Sequence, residues 1–184
     1  MSIYLTSDLH FCHKKDFLYK PRGFSSIGEM NYAIVSIWNN TVQDDDDIYI
    51  LGDIMLNDDE EGIFLLKNLR GRIHIIRGNH DSDRRIELYK QCPHIVEVEN
   101  SIYLHYNGYH FYLSHYPTLT SNFDFDKPLK ARLINLCGHS HIQNAFEDWD
   151  KYKAPIYHCE VDAHNCTPIS LDQIIQDIQN YTKK

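Results

Sequence analysis

Apolar positions along this chain repeat with period two in some stretches and about 3.6 in others, and the switches between them mark its elements. Ser2-Ile3-Tyr4-Leu5-Thr6-Ser7 alternates and is β-branched, which predicts a first strand. Ser26-Ile27-Gly28-Glu29 has the form of a capping box, and the helix behind it carries Ile27, Met30, Ile34, Ile37 and Trp38 on one face. Ile48-Tyr49-Ile50-Leu51 predicts a second strand. Asn57 is placed to cap a helix with Asp58, Asp59, Glu60 and Glu61 in its first turn, complementing the dipole. That helix buries Ile63, Leu65, Leu66 and Leu69 and stops at Gly71. Ile73-His74-Ile75-Ile76 predicts a third strand, followed by a helix from about Ser82 to Gln91. The order β-α-β-α-β-α implies parallel strands with right-handed crossovers.

The second half is strand-rich. Ile95–Val98 and Ser101–Tyr106 predict strands, and Asn107-Gly108 is a type I′ hairpin signal leading into Tyr109–Ser114. A polar loop from Thr118 to about Lys130 precedes a buried strand, Leu133–Cys137. A second loop, Gln143–Lys153, holds Phe146, Trp149 and Tyr152 and leads to a last strand, Ile156–Val161. Ser170-Leu171-Asp172-Gln173 caps a terminal helix with Ile174, Ile175 and Ile178 inward.

Composition narrows the class. At 184 residues the chain fits one domain spanning 1–184, long enough to bury about 70% of its unfolded surface. Its 42% hydrophobic and 24% charged residues are those of a soluble globular protein. No apolar run approaches the ~20 residues of a membrane span, and the first residues lack the basic flank of a signal peptide. Five cysteines without regular spacing point to a reducing, cytoplasmic setting rather than a disulfide scaffold. A net charge of -8 argues against a general nucleic-acid coat protein. Asp44 to Asp47 lack the Gly and distal Glu of a calcium loop, so a solvated turn is expected there.

The chemistry lies where strands run out. Asp8 and His10 follow the first strand on one face, Gly52-Asp53 the second and Gly78-Asn79-His80-Asp81 the third. His115 follows the hairpin strand, and Gly138-His139-Ser140-His141 the buried strand after it. In α/β sheets ligands bind beyond the carboxyl ends of strands. The donors are oxygen or imidazole without thiolate, which points to Mn, Fe, Zn, Co or Ni rather than a structural zinc. So many donors exceed one tetrahedral site and suit two ions sharing a carboxylate, about 3.5–4 Å apart.

The ordered set Asp-x-His, Gly-Asp, Gly-Asn-His-Asp, His, Gly-His-x-His resembles that of the calcineurin-like metallophosphoesterases, and it runs from Asp8 to His141. The resemblance implies a four-layer α/β/β/α sandwich of two mixed β-sheets flanked by helices. It implies that Asp8, His10 and His141 bind one divalent transition ion, that Asp53 bridges, and that Asn79, His115 and His139 bind the other, with Mn favoured. It makes His80 the catalytic histidine and Asp81 its orienting partner. Compact bacterial and phage members have a second His after the first motif and an Arg-containing loop, which makes His13 and Arg22 candidates for holding a phosphate oxygen. Gly52-Asp53 leads into Ile54-Met55-Leu56, unlike the protein phosphatases of the family, and Cys12 is expected to be a buried, inert thiol. His74, His94, His105, His110, His158 and His164 receive no role.

The activity so implied is hydrolysis of a phosphoester by a bridging hydroxide, with a small phosphodiester or cyclic nucleotide ahead of a monoester. A nuclease of the same family is the nearest rival, with Arg70, Arg72, Arg77, Arg84 and Arg85 counting for it and the acidity against it. An inactive phosphate- or metal-binding module is the remote one. Specificity is expected from the Thr118–Lys130 and Gln143–Lys153 loops.

Overall fold

The computed structural model describes residues 1–120 and 127–183, so residues 121–126 of the first specificity loop and Lys184 lie outside the described residues. Strands β1 (Ile3–Thr6), β2 (Asp47–Ile50), β3 (Arg72–Ile76) and β4 (Ile95–Glu99) pair in parallel. A two-residue strand that closes the chain's last loop, Ile169–Ser170, adds antiparallel to β1 and completes a five-stranded mixed sheet. The second sheet joins β5 (Ser101–Tyr106), β6 (Tyr109–Ser114), β7 (Leu133–Cys137) and β8 (Ile156–His158), antiparallel in the hairpin and parallel beyond it. The hairpin turn has positive φ at both Asn107 (50°) and Gly108 (78°), as type I′ requires.

Period-two alternation assigns the layers. Ile48, Ile50, Ile73 and Ile75 face helices α2 (Ile27–Thr41), α3 (Asp59–Lys67) and α4 (Asp83–Tyr89), where they pack on Met30, Ile34, Trp38 and Leu66. Their neighbours Tyr49, Leu51 and Ile76 face the other way, onto Phe111, Leu113, Ile134 and Leu136 of the second sheet. The terminal helix, Leu171–Tyr181, seals this inter-sheet core with Leu171, Ile174 and Ile178. Two mixed sheets flanked by helices are thus the architecture, as expected.

Several local expectations shift. A short helix, α1 (Asp16–Tyr19), sits in the basic loop after the first motif. The cap of α3 is Asp58, which accepts the Glu61 N–H at 3.1 Å, because the Asn57 side chain is turned to the Cys12 carbonyl. That helix ends at Lys67, and Gly71 with φ of 96° turns the chain into β3. The acid run is not wholly solvated: Asp46 is buried and accepts from the Ser2 and Gln43 N–H groups. The Gln143–Lys153 stretch contains helix α5 (Glu147–Tyr152), and β8 ends three residues earlier than its apolar pattern suggests.

Candidate metal centre

Beyond β1, Asp8, His10 and Cys12 all take left-handed backbone, with φ of 58°, 50° and 66°. Side-chain-bearing residues adopt this at a cost, so the surroundings must impose it. Here the chain zips onto the loop after β2, with Asp8 N–H to Gly52 O at 3.0 Å and His10 N–H to Asp53 O at 3.0 Å. Asp53 (55°), His139 (74°) and His141 (52°) repeat the conformation. Close approach is secured by glycine: a Cβ on Gly78 would collide with Asp53 Oδ1, and one on Gly138 with Ser7 and Asp8.

These loops bring the expected ligands into two groups, Asp8 with His10 and His141, and Asp53 with His115 and His139, each with its donor atoms within 4.8 Å of one another. His10 Nε2 and His141 Nε2 face each other at 3.1 Å and lie 3.7 and 3.8 Å from Asp8 Oδ1. Asn79 Oδ1 joins the second group, 2.9 Å from His115 Nε2. Asp53 Oδ2 links them, 3.7 Å from His10 Nε2 and 3.6 Å from His115 Nε2.

The donors suit cations. Asp8 Oδ1 is buried and has no hydrogen-bond partner, an expense for a carboxylate that an ion would remove. His115 Nδ1–H donates to the Leu51 carbonyl at 2.8 Å and His141 Nδ1–H to Asp162 at 2.9 Å. With Nδ1 engaged in this way, each ring turns its Nε2 atom toward the centre. Burial would raise the Asp8 carboxyl, but its contact with His10 and the nearby His141 hold it well below the carboxylate range. Burial would likewise lower His141, yet Asp162 and Asp8 raise it. His139 is pushed down by burial and by His115. His10 Nδ1 is also buried without a partner, and nothing in the structure explains it.

The remaining expected residues are more divided. The His80 ring stands at the mouth, 39% exposed, with Nε2 3.9 Å from Asp53 Oδ2. The His80 main-chain N–H donates to Asp53 Oδ1 at 2.8 Å. His13 is buried beside it, its ring 5.3 Å from that of His10 and 6.3 Å from that of His80. Burial and the neighbouring imidazoles push it down to about 4, so it is a neutral group at working pH.

Two expectations are corrected. Asp81 is not bonded to the His80 ring: its carboxylate accepts N–H from Asp53, Gly78 and Ile54 at 2.8, 2.9 and 3.2 Å, and O–H from Tyr89 at 2.8 Å. It therefore shapes the loops that carry Asp53 and Asn79. Arg22 is not a free phosphate clamp: its side chain is 2% exposed, forks onto Asp162 at 2.9 and 2.7 Å, and donates to the Asp8 carbonyl at 2.9 Å. Cys12 is buried as expected, its thiol pushed up to about 11 by burial first and acidic neighbours second.

Sequence reasoning missed Asp162, the partner of both Arg22 and His141. The signal was present, because Asp162 follows an apolar run just as Asp8 and Asp53 do. It also missed Tyr116, whose ring edges meet those of His139 and His115 at 4.6 and 5.0 Å.

Comparison with known proteins places the fold and the family. A protein of Methanocaldococcus jannaschii is 35% identical over 180 residues, covering 96% of this chain and 91% of its own. The Gene 66 protein of Mycobacterium phage L5 is 26% identical, covering 75% and 76%. Among solved structures, a protein of unknown function from Aquifex aeolicus superposes with a TM-score of 0.69 at 24% identity, covering 95% and 98%. An archaeal phosphodiesterase superposes with a TM-score of 0.50 at 17% identity, covering 87% and 82%. The profile of the calcineurin-like phosphoesterase superfamily domain matches residues 1–154, and the chain belongs to that superfamily.

Proposed function

We propose that the protein is a metal-dependent phosphoester hydrolase with a dinuclear centre, acting on a small phosphodiester or nucleotide. The observation that carries the reading is the single oxygen, Asp53 Oδ2, standing within 3.7 Å of imidazole nitrogens from both ligand groups. Asp8, His10 and His141 would hold one ion, Asn79, His115 and His139 the other, and Asp53 would bridge. The chemistry such a centre would supply, when loaded, is neutralisation of phosphate oxygens and a lowered pKa, toward ~7, for a water; Mn is the favoured metal, with Fe, Zn, Ni and Co open.

The chain's own contribution is positional. His80, at the mouth and outside the two ligand groups, is placed to steady the phosphoryl group or to hand a proton to the leaving oxygen. His13, neutral and beside it, offers a hydrogen bond rather than charge. The nuclease rival is less favoured, because the chain is acidic and Arg85 is tied to Asp59 at 2.7 Å with its side chain 14% exposed. All five cysteines are free and buried, which suits a reducing compartment, and among the described residues no helix is long and apolar enough to cross a membrane.

The test pairs metal content with turnover. Reloaded with Mn, the protein should carry two ions per chain by elemental analysis and hydrolyse bis-p-nitrophenyl phosphate. His80→Ala should keep both ions while kcat falls by about 10²–10⁴, the usual worth of positioned acid–base catalysis. His115→Ala should lose metal instead. A reloaded protein without bound metal sinks the dinuclear reading, and a His80→Ala variant that loses metal as His115→Ala does removes the role given to His80.

A further inference from the structure

A hollow of about 600 Å³ opens beside the centre on its His139 side, well within the usual size of small-molecule sites. Tyr116, Leu119, Ser140, Ile142, Lys151 and Tyr152 are among its lining residues. Two of them tie it to the centre. The Tyr116 ring abuts those of His115 and His139, and Ser140 lies in sequence between His139 and His141. The other end is closed by α5, which contributes Lys151 and Tyr152.

Three large apolar side chains stay half-exposed around this one hollow: Tyr116 at 50%, Leu119 at 50% and Tyr152 at 47%. Single exposed apolar residues need no explanation, but three sharing one concavity next to a reactive centre do. The other aromatics of the same stretch are committed elsewhere. Phe146 stacks on Tyr181 at 4.0 Å and 8°, and Trp149 meets both rings. Tyr152 is left as the aromatic that α5 turns to the hollow, with Lys151 Nζ 4.8 Å from its ring centre.

We propose that this groove takes the base of a nucleotide-type phosphoester, with Tyr116 and Tyr152 as its aromatic walls. The inference rests on the phosphoester reading of the centre and names the substrate class for it. A phosphate seated on the centre directs its ester arm past Ser140, a hydroxyl suited to a sugar oxygen. Beyond it, phenol rings and the Leu119 and Ile142 side chains offer surface to a flat heterocycle. Glu147 and Lys151, also on the lining, supply an acceptor and a donor for the edge of a base, which a plain alkyl arm would not use. Stacking of this kind tolerates any base, since every base has a π-face.

The test is equilibrium binding to Mn-loaded protein by calorimetry, with adenosine 5′-monophosphate, ribose 5-phosphate, p-nitrophenyl phosphate and inorganic phosphate as probes. The nucleotide should bind about 10-fold or more tighter than ribose 5-phosphate, within the roughly 5- to 150-fold worth of one base–aromatic stack. Tyr152→Ala and Tyr116→Ala should each shrink that ratio several-fold, and Tyr152→Phe should keep it. Because the ratio is taken within each variant, any change in the affinity for phosphate itself cancels. Equal binding of the two sugar phosphates by the wild type overturns the groove assignment, as does a ratio that survives both Ala substitutions. If p-nitrophenyl phosphate binds as tightly as the nucleotide, the groove is a general aryl site and the nucleotide assignment falls. If no probe binds, inorganic phosphate included, the phosphoester reading itself fails and takes the groove assignment with it.

Discussion

Two carboxylates, the buried Asp81 and the half-buried Asp162, flank the centre and support it by different means. Asp81 gathers three main-chain N–H groups and the Tyr89 hydroxyl, so it fixes backbone: the turns that present Asp53 and Asn79. Asp162 gathers the Arg22 guanidinium and the His141 imidazole, so it fixes side chains: it turns His141 toward Asp8 and His10. Main-chain donors cannot leave and carry no titratable charge. An ion pair depends on both partners staying charged and in place. One flank of the centre is therefore built into the fold, and the other is held by a pair that a change of charge can undo.

The sharpest way to break that comparison is to remove Asp81. Asp81→Ala orphans four buried donors at about 1–3 kcal/mol each, so a loss of about 4 kcal/mol or more is expected in urea unfolding. Asp81→Asn keeps one acceptor oxygen and sets an amide N–H against its neighbours, at a cost of about 1–3 kcal/mol. Because this carboxylate does not touch the His80 ring, the damage should appear as lost stability and metal content rather than in kcat alone. An Asp81→Asn protein with wild-type stability and metal but a kcat reduced as far as that of His80→Ala would restore the orienting role instead.

Asp162→Asn tests the other flank. It leaves the Arg22 guanidinium buried without its counter-charge, and breaking a buried pair in this way costs about 3–5 kcal/mol. Arg22 keeps its carbonyl partners at Asp8 and Leu9, so the low end is expected. Losing the carboxylate behind a ligating His weakens metal binding by about 10–100-fold. Competition with a metal-sensitive dye should show one of the two proposed sites weakened and the other kept. Equal weakening of both would mean that the flanks are not independent.

How far the sequence reveals this division depends on which residues act locally. The candidate ligands Asp8, His10, Asp53, Asn79, His115, His139 and His141 could be picked out because each follows an apolar run, and parallel sheets collect such ends along one edge. The succession of strands and helices along the chain followed from the same runs, whereas the short Ile169–Ser170 strand did not. Arg22 was not legible, since its partner lies 140 positions away and a loop arginine gives no sign of burial. Asp81 looked like a neighbour for His80 because the two are adjacent, whereas the backbone turn sends the carboxylate back under Asp53. Left-handed φ at Asp8, His10 and Asp53 leaves no mark, as none of them is glycine. Helix α5 escaped because six residues are too few to show a helical stripe.

The smallest expected effect separates the flanks by pH. Burial would raise the Asp162 carboxyl, but its bonds to His141 and Arg22 outweigh burial and lower it from 3.8 to about 2. A group whose folded value is depressed stabilises the fold above its unfolded value, and that stability is lost as pH falls through the folded one. The contribution should thus be complete at pH 5, down by about 1 kcal/mol at pH 3 and by about 2 kcal/mol at pH 2. Asn at this position cannot titrate, so the stability gap between wild type and Asp162→Asn should narrow by those amounts on acidification. Urea unfolding of chelator-treated protein between pH 5 and pH 3 measures it without metal competing for protons. The other acidic groups titrate in both proteins and cancel in the difference. A gap that stays constant over that range would mean that Asp162 is not held by charge, and that this flank is as fixed by the fold as the Asp81 side.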